Sequence, residues 1–137
     1  MKILILCTGN SCRSQMAEGF LKSFDSHLEV LSAGTLPTKK VNSFAIQVMQ
    51  EVGIDISKHQ PKHVDEFLHL EFDYVITVCD EAKESCPVFT GKVNHRLHIG
   101  FPDPAGATGT EEEIHNAFRE VRNSIKTDFY KFYLSII

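Results

Sequence analysis

Cys7-Thr8-Gly9-Asn10-Ser11-Cys12-Arg13-Ser14 places an arginine six positions after a cysteine. That spacing suits a cradle for a tetrahedral oxyanion. The backbone must curl so that consecutive N–H groups converge on one point, and Gly9 and Asn10 tolerate the positive φ angles that such a curl needs. Arg13 offers a planar, two-pronged donor for two anion oxygens. The same field favours the thiolate form of Cys7, the form that attacks an electrophile. Ser14 is placed to donate a hydrogen bond to that sulfur. The expected oxyanion-binding residues are therefore Thr8, Gly9, Asn10, Ser11, Cys12 and Arg13. The Cys12 thiol itself reads as a packing group beneath Arg13. No Gly-Lys-Ser/Thr ending follows, so this is not a nucleotide phosphate loop.

A second pair of cysteines, Cys79 and Cys86, brackets Asp80-Glu81-Ala82-Lys83-Glu84-Ser85 and is followed by Pro87. Asp80 to Glu84 has helical propensity, and Pro87 stops a helix. Across an intact helix the two cysteines would stand about 10.5 Å apart along the axis, whereas a disulfide needs Cα atoms within about 7 Å. If they bond, the segment between them must unwind, which is cheap for a short helix. Two buried, inert cysteines remain an alternative for this segment. Neither the pair 7/12 nor the pair 79/86 has the spacing of a zinc finger site, so no metal is expected. Asp103-Pro104-Ala105-Gly106 forms a turn whose carboxyl can serve as a general acid for a leaving oxygen, or can be a turn aspartate only. The seven histidines carry no metal motif, and His59, His63, His95 and His98 read as surface or packing residues.

These groups need a scaffold that brings three loops together. Ile3-Leu4-Ile5-Leu6 is a continuous apolar run, as in a strand buried on both faces of a parallel sheet. Ser14 to Phe24 has apolar residues at helical spacing. Leu28 to Ala33 reads as a second strand ended by Gly34, Tyr74 to Val78 as a third and Arg96 to Ile99 as a fourth. Asn42 is the expected cap of a helix reaching Val52, and an amphipathic helix is expected from Glu111 to Tyr133. Alternation of strands and helices predicts an α/β fold, a doubly wound four-stranded parallel sheet flanked by helices. Ligands in such sheets bind at the carboxyl ends of the strands. The segments Cys7–Ser14, Cys79–Cys86 and Gly100–Gly106 all follow strand ends.

The 137 residues contain no linker or repeat and are expected to form one domain, 1–137. A net charge of −4 argues against sequence-independent nucleic-acid binding. No apolar run approaches the ~20 residues of a membrane span, and the run after Lys2 is too short for a signal-peptide core. The expectation is a cytoplasmic protein in a reducing compartment, where its four cysteines are reactive rather than structural.

Cys7-Thr8-Gly9-Asn10-Ser11-Cys12-Arg13-Ser14 together with Asp103-Pro104 resembles the low-molecular-weight protein tyrosine phosphatase superfamily. Within it the chain is similar to the thioredoxin-coupled arsenate reductases. Gln15 stands where phosphatases usually have proline, Cys79 and Cys86 match the reductase redox segment, and Asp103-Pro104-Ala105-Gly106 matches the reductase acid loop. Ser32-Ala33-Gly34 and Val52 to His59 extend the likeness over nearly the whole chain.

The resemblance implies that Cys7 attacks arsenate held by the loop and Arg13, with Asp103 as acid. Cys79 and then Cys86 would carry the oxidation outward as a Cys7–Cys79 and then a Cys79–Cys86 disulfide, and thioredoxin would reset the enzyme. It implies a monomer, no organic cofactor, and phosphate or sulfate as competing oxyanions. Some relatives bind potassium near the loop. The counterparts here are Asn10, Glu18, Ser32 and Lys62, and the Lys62 ammonium is expected to replace the cation. Two other readings stay open: a phosphatase using Cys7, Arg13 and Asp103 alone, and a non-enzymatic oxyanion-binding or redox-sensing module.

Overall fold

Ile3, Leu4, Ile5 and Leu6 have no solvent exposure at all, as a central parallel strand requires. In the computed structural model, which describes residues 1–80 and 84–137, they form the middle of β1 (Lys2–Cys7). β1 pairs in parallel with β2 (Glu29–Gly34) on one side and β3 (Glu71–Thr77) on the other. β4 (Lys92–His98) extends the sheet from β3, also in parallel. The order β2-β1-β3-β4 grows outward from β1 in both directions, the doubly wound arrangement expected.

Pleating divides the core. Ile3, Ile5 and Cys7 face a cluster built with α1 (Arg13–Phe24), α2 (Ser43–Gln50) and α3 (Glu111–Ile136). Leu4 and Leu6 face the other side with Ala33, Val64, Phe72, Val75 and Phe89. There the cover is a one-turn 3₁₀ helix, Val64–Phe67, and loop residues. The long helices thus share one face, while short segments close the other.

The helix ends follow local chemistry. Asn42 caps α2, its Oδ1 accepting from Phe44 N at 2.8 Å and Ala45 N at 3.4 Å, a cap that contributes about 1 kcal/mol. Thr110 and Glu113 form a reciprocal capping box at the start of α3. Phe118, Val121, Ile125, Phe129 and Phe132 make the buried stripe of α3. β3 and β4 each start several residues earlier than the apolar pattern suggests, at Glu71 and Lys92. All three loops of interest leave the carboxyl edge of the sheet, after β1, β3 and β4.

Candidate active site

The turn after β1 is shaped by its carbonyl groups. Those of Thr8, Gly9 and Ser11 accept from Leu36 N (2.9 Å), Thr38 N (3.0 Å) and Asn42 N (3.0 Å) on the outer segment. Peptide planarity sets each following N–H on the opposite side, so the N–H groups of Gly9, Asn10 and Cys12 turn inward. Asn10 confirms this, its N–H donating to Cys7 Sγ at 3.1 Å. The curl needs one left-handed residue, Asn10 at φ 51°. Gly9, expected to share that conformation, does not adopt it. The glycine that close packing demands is Gly34 of β2, where a Cβ would sit 2.2 Å from the Thr8 carbonyl oxygen.

Ser14 Oγ lies 2.9 Å from Cys7 Sγ and accepts from Asn10 Nδ2 at 2.8 Å. Asn10 Nδ2 also donates to Ser32 Oγ at 3.0 Å. Gln15 braces the curl from below, its buried amide within 3.1 Å of both the Asn10 carbonyl and Asn10 Oδ1 and 3.2 Å from the Gln60 carbonyl. His59 Nδ1 stands 3.0 Å from Gln15 Oε1, and burial pushes the pKa of His59 down. Ser32 Oγ donates to Glu18 Oε1 at 2.7 Å, and Glu18 Oε2 takes Lys22 Nζ at 2.8 Å. This corrects the expectation for Lys62, whose Nζ donates instead to the Gln60 carbonyl at 3.0 Å. The ammonium that neutralises buried Glu18 comes from Lys22, one helical turn along α1.

Arg13 lies buried at the floor of a cavity it shares with Cys7, Thr8, Ser11, Glu84 and Asp103. One guanidinium nitrogen donates to the Phe101 carbonyl at 3.1 Å, and Asp103 Oδ2 is 3.7 Å from the other. Glu84 bonds both prongs of the fork, a contact with no sequence signal because the partners are 71 positions apart. Burial opposes the charge of Arg13, but its bond to Glu84 and the charge of Asp103 outweigh this and raise its pKa, while Arg13 holds Glu84 below the usual carboxylate range. Asp103 takes the turn position expected of it. Its Oδ1 caps the turn Pro104–Gly106 by accepting from Ala105 N at 3.0 Å, and its Oδ2 faces Arg13. Phe101 ties this loop down by stacking on Phe129 of α3 at 6.2 Å. Cys12 is buried, which raises its pKa from 9.0 to about 12. That agrees with a packing role for its thiol.

Cys79 and Cys86 are joined as a disulfide with their Cα atoms 5.7 Å apart. That span lies within the reach of a disulfide. The expected helix from Asp80 to Glu84 lies partly outside the described residues. Val78, just before Cys79, donates to the Leu6 carbonyl at 3.0 Å, so the two strand ends carrying Cys7 and Cys79 leave the sheet side by side. Cys7 and Cys12 are free thiols. The arrangement sets a free thiol inside a curl of inward N–H groups, with a buried guanidinium, the Asp103 carboxylate and a disulfide beside it.

A family model described as low molecular weight phosphotyrosine protein phosphatase matches residues 2–136. The arsenate reductase of Halalkalibacterium halodurans is 46% identical over 124 residues, covering 90% of this chain and 88% of the relative. A solved arsenate reductase in a phosphate-binding state superposes with a TM-score of 0.79 at 32% identity, covering 99% of this chain and 98% of that one. The thioredoxin-dependent arsenate reductase of Corynebacterium glutamicum gives a TM-score of 0.63 at 28% identity, covering 98% of this chain and 62% of its own.

Proposed function

The chain belongs to the low molecular weight phosphotyrosine protein phosphatase family, and within it we propose that it is an arsenate reductase recharged by thioredoxin. The observation that carries this reading is the Cys79–Cys86 disulfide beside the anion loop. A phosphatase needs neither cysteine. The arsenate reductase relatives and the phosphate-binding state of a similar structure support arsenate and phosphate as alternative occupants of the cradle.

The Cys7 thiolate attacks arsenate held by the inward N–H groups and Arg13. Asp103 protonates the departing oxygen, leaving a sulfur–arsenic bond. Cys79 then attacks Cys7 Sγ, the bonding pair passes to arsenic, and arsenic leaves as arsenite. Two thiols have supplied the two electrons, and the oxidation stays behind as a Cys7–Cys79 disulfide. Cys86 attacks Cys79 Sγ, frees Cys7 and creates the Cys79–Cys86 bond, which an external dithiol reduces. Ser14 and the Asn10 N–H hold Cys7 with contacts that a thiolate accepts. The protein is expected to act as a single-domain monomer needing no bound cofactor. Among the described residues no helix is long and apolar enough to cross a membrane.

The test is an arsenate assay coupled to thioredoxin, thioredoxin reductase and NADPH, run on the wild type and on each single cysteine-to-serine variant. Cys7→Ser and Cys79→Ser should lose turnover, and Cys86→Ser should complete one turnover and stop. Sustained cycling by Cys86→Ser would refute the relay. Phosphate resembles arsenate in shape and charge, so slow p-nitrophenyl phosphate hydrolysis is expected, and Cys79→Ser should retain it.

A further inference from the structure

His98 belongs to no sequence motif, yet a nitrogen of its ring and the Sγ atoms of Cys79 and Cys86 lie within 4.8 Å of one another. Three features put the ring there. Strand register sets His98 of β4 against Thr77 of β3, two residues before Cys79. The Thr77 hydroxyl lies 2.7 Å from His98 Nδ1. Gly100 leaves the room: a Cβ at that position would lie 2.6 Å from His98 Nε2 and 2.9 Å from the Cys79 carbonyl oxygen. His98 is exposed, Cys86 is half-buried and Cys79 is buried, so the ring stands where protons can enter and leave.

We propose that His98 is the acid–base residue of the disulfide-exchange steps at Cys79 and Cys86. The proposal rests on the relay reading and adds to it the group that moves the protons. An incoming thiolate attacks the more accessible Cys86 Sγ. A new sulfur–sulfur bond forms, the Cys79–Cys86 bond breaks, and its electron pair goes to Cys79 Sγ. The imidazolium form of His98 delivers a proton to that leaving sulfur and becomes neutral. In the internal step that precedes it, the neutral ring takes the proton of Cys86 as that thiol attacks Cys79, and the electron pair leaves on Cys7. The proton gained in the internal step is the one spent in the reductive step. Histidine is suited to this exchange because its charge changes near neutral pH. Among the described residues, the ionisable groups placed near the ring are the two cysteines and Arg96, which lines the same cavity wall as Cys86 and His98.

The experiment measures the rate at which dithiothreitol reduces the Cys79–Cys86 disulfide of the oxidised protein, from pH 5.5 to 8.5. The wild type is compared with His98→Gln, His98→Ala and Gly100→Ala. Dividing wild-type by variant rates removes the titration of the reductant. The ratio to His98→Gln should be about 10²-fold at the acid end, the low end of general acid–base effects, and fall towards one at the alkaline end. Added imidazole should restore part of the rate of His98→Ala. Gly100→Ala, which displaces the ring without removing it, should fall between wild type and His98→Gln. A ratio near one, or one that does not change with pH, overturns the proposal. The measurement needs no arsenate. A pH-dependent ratio in a protein that fails to turn over arsenate would sink the relay and spare the role of His98, whereas normal turnover with a flat ratio would do the reverse.

Discussion

Single side chains at this site differ in what their surroundings let them do. Cys7 and Cys12 are both buried thiols five positions apart. Cys7 receives the Asn10 N–H and contacts Ser14, whereas Cys12 has a pKa raised by burial to about 12. Iodoacetamide at pH 8 should therefore label Cys7 in the folded protein and leave Cys12 unmodified until denaturant is added, as peptide mass mapping would show. Equal labelling of the two would contradict the separation. The ion pair of Glu18 with Lys22 makes a second prediction. Lys22→Met strands a buried carboxylate and should lower stability by about 1–2 kcal/mol, read from denaturant unfolding. In the wild type, where Lys22 already neutralises Glu18, exchanging sodium for potassium at constant ionic strength should leave the melting temperature unchanged. The cradle residues 7–14 were legible from residue types and spacing because their contacts are local. Lys62 was misassigned because the direction of a lysine side chain depends on what surrounds it, which position in the chain does not reveal.

Elements were legible wherever one face is buried. β1 and α3 announce themselves by apolar runs and period. β4 does not, since six of its seven residues, all but Val93, are exposed, and what makes it a strand is its pairing with β3. The turn Val64–Phe67 is capped by His63, whose Nδ1 accepts from Asp65 N at 3.1 Å, a cap that residue statistics do not suggest. Between α2 and α3 the important contact lies outside both apolar stripes. Glu51, at the end of α2, binds Arg119 and Arg122 of α3, and Arg122 also donates to the Val48 carbonyl at 2.8 Å. The hydrogen bond from Arg119, followed by that from Arg122, brings the Glu51 pKa from 4.5 down to about 2. A carboxylate lowered by folding stabilises the protein above its unfolded value, and that contribution is lost as pH falls through the folded value. Urea unfolding between pH 5 and 2 should therefore show a steeper loss of stability in the wild type than in Glu51→Gln. Parallel curves would show that the clamp contributes nothing.

At the scale of the molecule, three loops from one sheet edge meet because β1 lies inside the sheet with β2 and β3 on either side. The loop after β1 supplies the curl around Cys7, the one after β3 the disulfide and the one after β4 Asp103. Their convergence was legible from the alternation of strands and helices, which sends every crossover back to the same edge. What the sequence concealed is how those loops touch. Glu84 on Arg13 is such a contact, joining the redox segment to the cradle across the cavity. Phosphate should bind the protein with its Cys79–Cys86 bond intact at least ~10-fold more weakly than the dithiol form, as one charge-assisted contact is worth about 1.5–3 kcal/mol. Titration calorimetry on both forms of Glu84→Gln should find most of that difference gone.

A carboxylate held on the guanidinium that would clamp the anion predicts a refractory period for the oxidised form. Inside a cell rich in phosphate, a molecule awaiting its next pair of electrons would not clog with the wrong tetrahedral guest, because its own chain already holds the seat. Vacating that seat and regaining reducing power would then be a single event.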